Sequence, residues 1–145
     1  MIWVDADACP VKEQVLRCAQ RFHQPVTMVC DVSHDLSRLN CIVLTVDRHS
    51  DSADLVIVNR ASKGDLLITQ DYGLAALALS KGLRVLHQSG MEFTAENIDE
   101  LLFTRALSGK QRRASRHLKG PKKRTKADDL RFETAFNALL SSLDT

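Results

Sequence analysis

The chain is poor in the features that most directly announce a function. Neither G-x-G-x-x-G nor G-x-x-x-x-G-K occurs around its six glycines, which excludes the glycine-rich dinucleotide and P-loop phosphate cradles. No apolar run approaches the roughly 18 residues that a membrane-spanning helix needs, and no membrane partner is expected. Cys9, Cys18, Cys30 and Cys41 are widely spaced, with no C-x-x-C and no Cys/His pairing at zinc spacing. They read as reduced thiols of a cytoplasmic protein, Cys18 and Cys30 as core residues and Cys9 as the one worth testing. A catalytic thiol at Cys9 is disfavoured, because the aspartates beside it raise its pKa. His23, His34, His49, His87 and His117 form no ligand spacing, so none is given a catalytic role. The chain opens directly on a strand, and no signal peptide is expected before it. There is no internal repeat and no sign of a second domain.

What is present is enough for one globular domain: 145 residues, 44% of them hydrophobic. The net charge of +2 conceals a strong asymmetry. Residues 1–109 carry 10 Lys/Arg against 14 Asp/Glu, residues 110–126 carry nine basic residues and no acid, and residues 127–145 carry one basic against four acidic. The chain is an acidic body with a basic segment set near its end.

The apolar pattern alternates between strand and helix in the manner of an α/β domain. Strands are predicted at Ile2–Asp5, Pro25–Cys30, Cys41–Val46, Leu66–Thr69 and Arg84–His87, the last of the series. The β-branched run Cys41–Val46 suits a strand buried on both faces. Helices are predicted at Pro10–Phe22, with Val11, Val15, Leu16 and Ala19 on one face, at Asp51–Lys63, and at Asp71–Ser80, ended by Gly82. Residues 31–41 read as a loop or short helix. A further helix follows Thr94 and carries Ile98, Leu101, Leu102 and Leu107. Residues 109–126 read as a loop, and Thr125-Lys-Ala-Asp128 caps a final helix with Phe132, Phe136, Leu139, Leu140 and Leu143 on its apolar face.

On this map the acids form a pattern. Asp5 and Asp7 follow the first strand, Asp51 and Asp54 open the helix after the third, and Asp71 follows the fourth. Three strand-to-helix junctions thus place acid at the carboxyl ends of parallel strands, where open α/β sheets bind ligands. Each Asp alone is equally well explained as a turn former or helix N-cap. Together they raise an electrostatic problem, since two like charges about 4 Å apart repel by roughly 4 kcal/mol at an effective dielectric near 20. A pocket of ionised carboxylates calls for a cation or for protonation. All-oxygen ligands with positions left to water suit Mg²⁺ or Mn²⁺, one or two ions, and such ions serve phosphodiester hydrolysis.

The segments Asp51-Ser-Ala-Asp54-Leu-Val-Ile-Val-Asn-Arg-Ala61 and Gly64-Asp-Leu-Leu-Ile-Thr-Gln-Asp71-Tyr-Gly-Leu-Ala75 resemble the metal-binding half of PIN-domain nucleases. With Asp5-Ala-Asp-Ala-Cys-Pro-Val-Lys12 the chain resembles, over nearly its whole length, the bacterial YaiI/YqxD family of PIN-like proteins. The resemblance implies a single three-layer α/β PIN-like domain, residues 1–145, with a central, mostly parallel sheet of about five strands. Residues 1–88 would form the core, and residues 94–145 an appended helical C-terminus with the basic loop. It also implies Asp5, Asp54 and Asp71 as the acids that hold metal and carry catalysis, Thr69 as the accompanying hydroxyl, and Asp7 and Asp51 as outer ligands. RNA is favoured over DNA by the same analogy. A fourth PIN acid is missing from the pattern, since Tyr72 and Gly73 follow Asp71.

Candidate phosphate contacts are Lys12, Arg112, Arg113, Arg116, Lys119, Lys122, Lys123 and Arg124. The competing explanation is a solvated loop. Having almost no aromatics, the basic segment cannot stack bases, and its binding would be independent of sequence and steeply salt-dependent. Two other functions remain open. One is a non-catalytic nucleic-acid-binding adaptor. The other is a haloacid-dehalogenase-type phosphatase with Asp5 as nucleophile and Asp7 as general acid, although Lys81 follows Asp71 where such enzymes place a Lys before the last acid. Nothing in the sequence specifies a protein partner.

Overall fold

A computed structural model describes residues 1–7, 9–31, 36, 39–47, 52–114 and 123–143, the side chains of 52 and 108–114 excepted. The described elements run β1 (Ile2–Asp5), α1 (Lys12–Arg21), β2 (Val26–Asp31), β3 (Ile42–Val46), α2 (Ser52–Arg60), β4 (Leu66–Ile68), α3 (Tyr72–Lys81), β5 (Arg84–Leu86), β6 (Glu92–Phe93), α4 (Ile98–Ala114) and α5 (Lys126–Leu143). The strands form one sheet in the order β3-β2-β1-β4-β5-β6. All pairings are parallel except β5 with β6. The chain steps from β1 outward to β3, then returns to place β4 on the other side of β1. That reversal opens a crevice between the carboxyl ends of β1 and β4, the position where doubly wound sheets take their ligands.

Strand alternation divides the interior into two layers. Ile2, Val4, Met28, Cys30, Leu66 and Ile68 face α1 and α5, while Trp3, Val29, Leu67 and Val85 face α2, α3 and α4. The fold is therefore a three-layer α/β domain. Ile2 and Val4 are wholly buried and Trp3 nearly so, as a central strand requires. The C-terminal helix is more than an appendage, because the fully buried Phe132 and Phe136 complete the layer that α1 begins.

The elements depart from expectation at three places. Arg84–His87 is not the last strand. After β5 the chain turns through Gly90, at φ +95°, and lays β6 antiparallel on it, pinned by the paired Arg84–Glu92 hydrogen bonds of 2.9 and 3.0 Å. A two-residue strand has no periodicity to read. β3 is not buried on both faces, since it lies at the sheet edge with Ile42 exposed. Residues 109–114 are helical rather than loop, continuing α4. One glycine costs a helix only about 1 kcal/mol, and Lys, Gln and Arg that follow it favour the helix. Leu107 on α4 stands exposed, and so does Leu143, expected on the apolar face of α5. Residues 115–122, the centre of the basic segment, lie outside the described residues. Among the described residues no helix is long and apolar enough to cross a membrane.

Candidate functional site

β1 and β4 pair in parallel with Ile2 opposite Leu66 and Val4 opposite Ile68, so the next residues, Asp5 and Thr69, stand level at the mouth of the crevice. Both follow the alternation that points Trp3 and Leu67 toward α2 and α3. The Thr69 hydroxyl donates to Asp5 Oδ2 at 2.9 Å and accepts from the Asp71 N–H at 3.0 Å. One buried hydroxyl thereby fixes the position of both acids.

Asp71 is the N-cap of α3. Its Oδ1 accepts from the Gly73 and Leu74 N–H groups at 2.9 and 3.2 Å, the arrangement that satisfies a helix's first free donors. The same oxygen lies 3.8 Å from Arg105 on α4, whose guanidinium also sits 5.8 Å from the Tyr72 ring centroid. Among the described residues neither Asp5 Oδ1 nor Asp71 Oδ2 takes a hydrogen bond.

The electrostatics centre on Asp5. Burial pushes its carboxyl pKa up to about 6, against the lowering effect of the Thr69 hydroxyl, and Asp54, Asp71 and Asp7 each push it further in the same direction. Asp54, in the first turn of α2, therefore lies within electrostatic reach of Asp5. Asp7 has a structural task, since both its oxygens face the Asp31 N–H at the end of β2, at 3.2 and 3.3 Å. Asp51 lies outside the described residues.

The donor set at this edge is all oxygen and acidic, the chemistry that Mg²⁺ and Mn²⁺ prefer. Among the described residues no three His, Cys, Asp or Glu side chains gather closely enough to hold a metal ion. What fits is a hydrated ion on one or two carboxylates, the usual manner of Mg²⁺. Asp5 Oδ1 and Asp71 Oδ2 are the available oxygens, with Asp54 in support.

The cations divide into three groups. Lys12 donates to the Cys9 carbonyl at 2.7 Å, closing the turn before α1. Arg124 bonds the Gln88 carbonyl at 2.8 Å and Asp129 at 2.6 Å, so it ties the start of α5 to the turn after β5. Lys123 is exposed. Arg112 and Arg113 lie on the last turn of α4 without described side chains, and Arg116, Lys119 and Lys122 fall outside the described residues. Cys9, Cys18, Cys30 and Cys41 are free thiols, and burial raises the pKa of each.

Two residues stand at this edge unannounced by the sequence. Arg105 reaches Asp71 only because α4 packs on α3. His87 follows β5, and its ring lies edge-on to Tyr72 and Phe93 at 6.3 and 5.8 Å between centroids. Ligand spacing along the chain misses it, whereas continuing the β4–β5 register finds it.

The family profile described as "Uncharacterized BCR, YaiI/YqxD family" matches residues 3–142. The chain is similar to a UPF0178 protein of Clostridium acetobutylicum, 46% identical over 141 residues that cover 96% of this chain and 95% of the relative. A UPF0178 protein of Exiguobacterium sibiricum is 45% identical over 140 residues, 97% and 96% of the two chains. One from Lachnoclostridium phytofermentans is 43% identical over 147 residues, 99% of each. No solved structure matches the chain.

Proposed function

For this member of the YaiI/YqxD family, we propose a metal-dependent phosphodiesterase that acts on nucleic acid, RNA before DNA, at the carboxyl ends of β1 and β4. The observation that carries the reading is Asp5: a half-buried carboxylate with one hydrogen bond, three carboxylates within electrostatic reach, and one oxygen without a partner among the described residues. A stable fold has little reason to keep such a charge unless a cation completes it.

In this reading Asp5 and Asp71 hold a Mg²⁺ or Mn²⁺ ion with support from Asp54. When bound, the ion would polarise a phosphodiester and lower the pKa of a water. Thr69 holds the two acids in register, its hydroxyl already engaged with both. Arg105 balances charge at Asp71. Lys12 and Arg124 act by their charge at the rim rather than as loose phosphate clamps, because each is tied to a backbone carbonyl.

Asp71's role as a helix cap favours a second reading, a non-catalytic nucleic-acid binder. The phosphatase alternative has less support. It needs Asp7 as a general acid, and Asp7 faces the Asp31 N–H.

The deciding experiment is cleavage of single-stranded RNA with and without Mn²⁺, wild type beside Asp71→Asn. The nuclease reading requires Mn²⁺-dependent cleavage that Asp71→Asn loses by at least two orders of magnitude. RNA binding with no cleavage under any divalent ion supports the adaptor instead.

A further inference from the structure

Three adjacent strands end in a row. β1 is level with β4, and β4 pairs with β5 so that Leu67 meets Val85 and Ile68 meets Leu86. One residue further on, Asp5, Thr69 and His87 stand side by side. Parallel strands are about 4.8 Å apart, so the row spans about 10 Å. The pleat sends Trp3, Leu67 and Val85 to the α2–α4 side, and Asp5, Thr69 and His87 follow them. Thr69's hydroxyl lies against Asp5 and the His87 ring against Tyr72 and Phe93, both in that layer.

Thr69 has no donor left, since its one hydroxyl proton goes to Asp5. His87 does have one. The Ser89 N–H donates to His87 Nδ1 at 3.0 Å, and the Ser89 hydroxyl lies 2.9 Å from the same nitrogen. A nitrogen that accepts an N–H carries no proton of its own, so the ring's proton sits on Nε2. Among the described residues Nε2 has no hydrogen-bond partner, and it is not sealed from solvent. Burial, and then the nearby Arg124 charge, lower the His87 pKa, so the ring is a neutral donor near pH 7. The Tyr72 and Phe93 edges hold its plane.

Resting on the phosphodiesterase reading, we propose that His87 is a substrate-binding residue whose Nε2–H donates to a non-bridging phosphate oxygen of a nucleotide seated at Asp5 and Asp71. A neutral donor suits this place. It grips a phosphate without adding a cation that would compete with a divalent ion for the carboxylates. No proton is transferred by His87 in this role, and no bond to it forms.

The test uses the full chain. Long-range ¹H–¹⁵N spectra of the histidine rings give the tautomer directly, and an Nε2–H ring is expected for His87. Uridine 5′-monophosphate with Mg²⁺ is then expected to shift the His87 ring signals and leave those of His23, which follows α1, in place. An Nδ1–H ring, or a His87 ring unmoved at the highest nucleotide concentration, overturns the assignment.

Kinetics supply the second arm if RNA is cleaved. His87→Phe keeps the aromatic packing and loses the donor, and KM should rise roughly 10- to 100-fold, the scale of a hydrogen bond to a charged group. His87→Gln, which restores a donor, should recover most of that loss. An unchanged KM in His87→Phe overturns the proposal while the Asp5–Asp71 reading stands. A nucleotide-shifted His87 ring in a protein that cleaves no RNA leaves the phosphate site intact and removes the nuclease.

Discussion

The two ends of the central sheet each hold an aspartate beside β1 or β4, and they treat it in opposite ways. At the amino end, Asp65 precedes β4, and its Oδ2 accepts from Trp3 Nε1 at 3.1 Å and from the Ser62 N–H at 2.8 Å. At the carboxyl end, Asp5 has one hydroxyl for company and three other carboxylates within electrostatic reach. The first arrangement is that of a carboxylate recruited to hold strands together. The second leaves a largely buried carboxylate with one hydroxyl donor and a raised pKa, an environment that a cation would relieve. Acid at a strand end is ambiguous until its donors are counted.

That contrast can be broken most forcefully at Asp5. Its folded pKa, about 6, lies above the ordinary 3.8, so in the metal-free protein the folded state binds the proton more tightly than the unfolded one. Stability from this group is fully present below about pH 3.8 and is lost as pH rises through about 6. Asp5→Asn removes that loss. The variant's unfolding free energy, measured by urea titration, should gain on wild type by up to about 3 kcal/mol between pH 3.5 and pH 7, at roughly 1.4 kcal/mol per pKa unit. Parallel pH profiles for the two proteins would refute the assignment.

Asp65→Ala should act with the opposite sign. It strands the Trp3 indole N–H and the Ser62 N–H, and should cost about 2 kcal/mol at pH 7. A neutral Asp65→Ala would erase the contrast. Thr69→Val tests the link between the acids: it deletes the hydroxyl from Asp5 and from the Asp71 N–H, and about 1–2 kcal/mol of stability should go with it at pH 7. NMR titration of that variant should place the Asp5 carboxyl above its wild-type value, because the lowering influence of the Thr69 hydroxyl is gone. The smallest effect belongs to Arg105→Gln. An exposed ion pair 3.8 Å long contributes at most about 0.5 kcal/mol, and thermal melting in low and high salt should barely separate the variant from wild type.

Much of this was legible in the sequence. The apolar runs Ile2–Val4 and Leu66–Ile68 are short, continuous and followed by acid, and they are central strands of a parallel sheet. The 3.6-residue spacing of Phe132, Phe136, Leu139 and Leu140 marks the buried face of α5. What periodicity missed depends on contacts between distant segments. β6 exists because Gly90 can hold φ +95° where an added Cβ would come within 3.0 Å of the Arg131 carbonyl. Arg105 meets Asp71 because α4 crosses α3, and Asp7 is occupied by an N–H 24 positions away. For the same reason the strand-end pattern brought out Asp5 and Asp71 yet left the cap geometry of Asp71 undecided. His87 was passed over because its partners are neighbours across the sheet and not along the chain.

In the proposed function a cation completes the Asp5 charge. The most direct measurement is the thermal unfolding midpoint at pH 7 as Mn²⁺ is titrated into wild type and Asp5→Asn. A ligand that binds only the folded state raises the midpoint continuously with its concentration. Wild type should rise through the millimolar range while Asp5→Asn, already more stable without metal, stays flat. A wild-type midpoint indifferent to Mn²⁺, or an equal rise in both proteins, would contradict it.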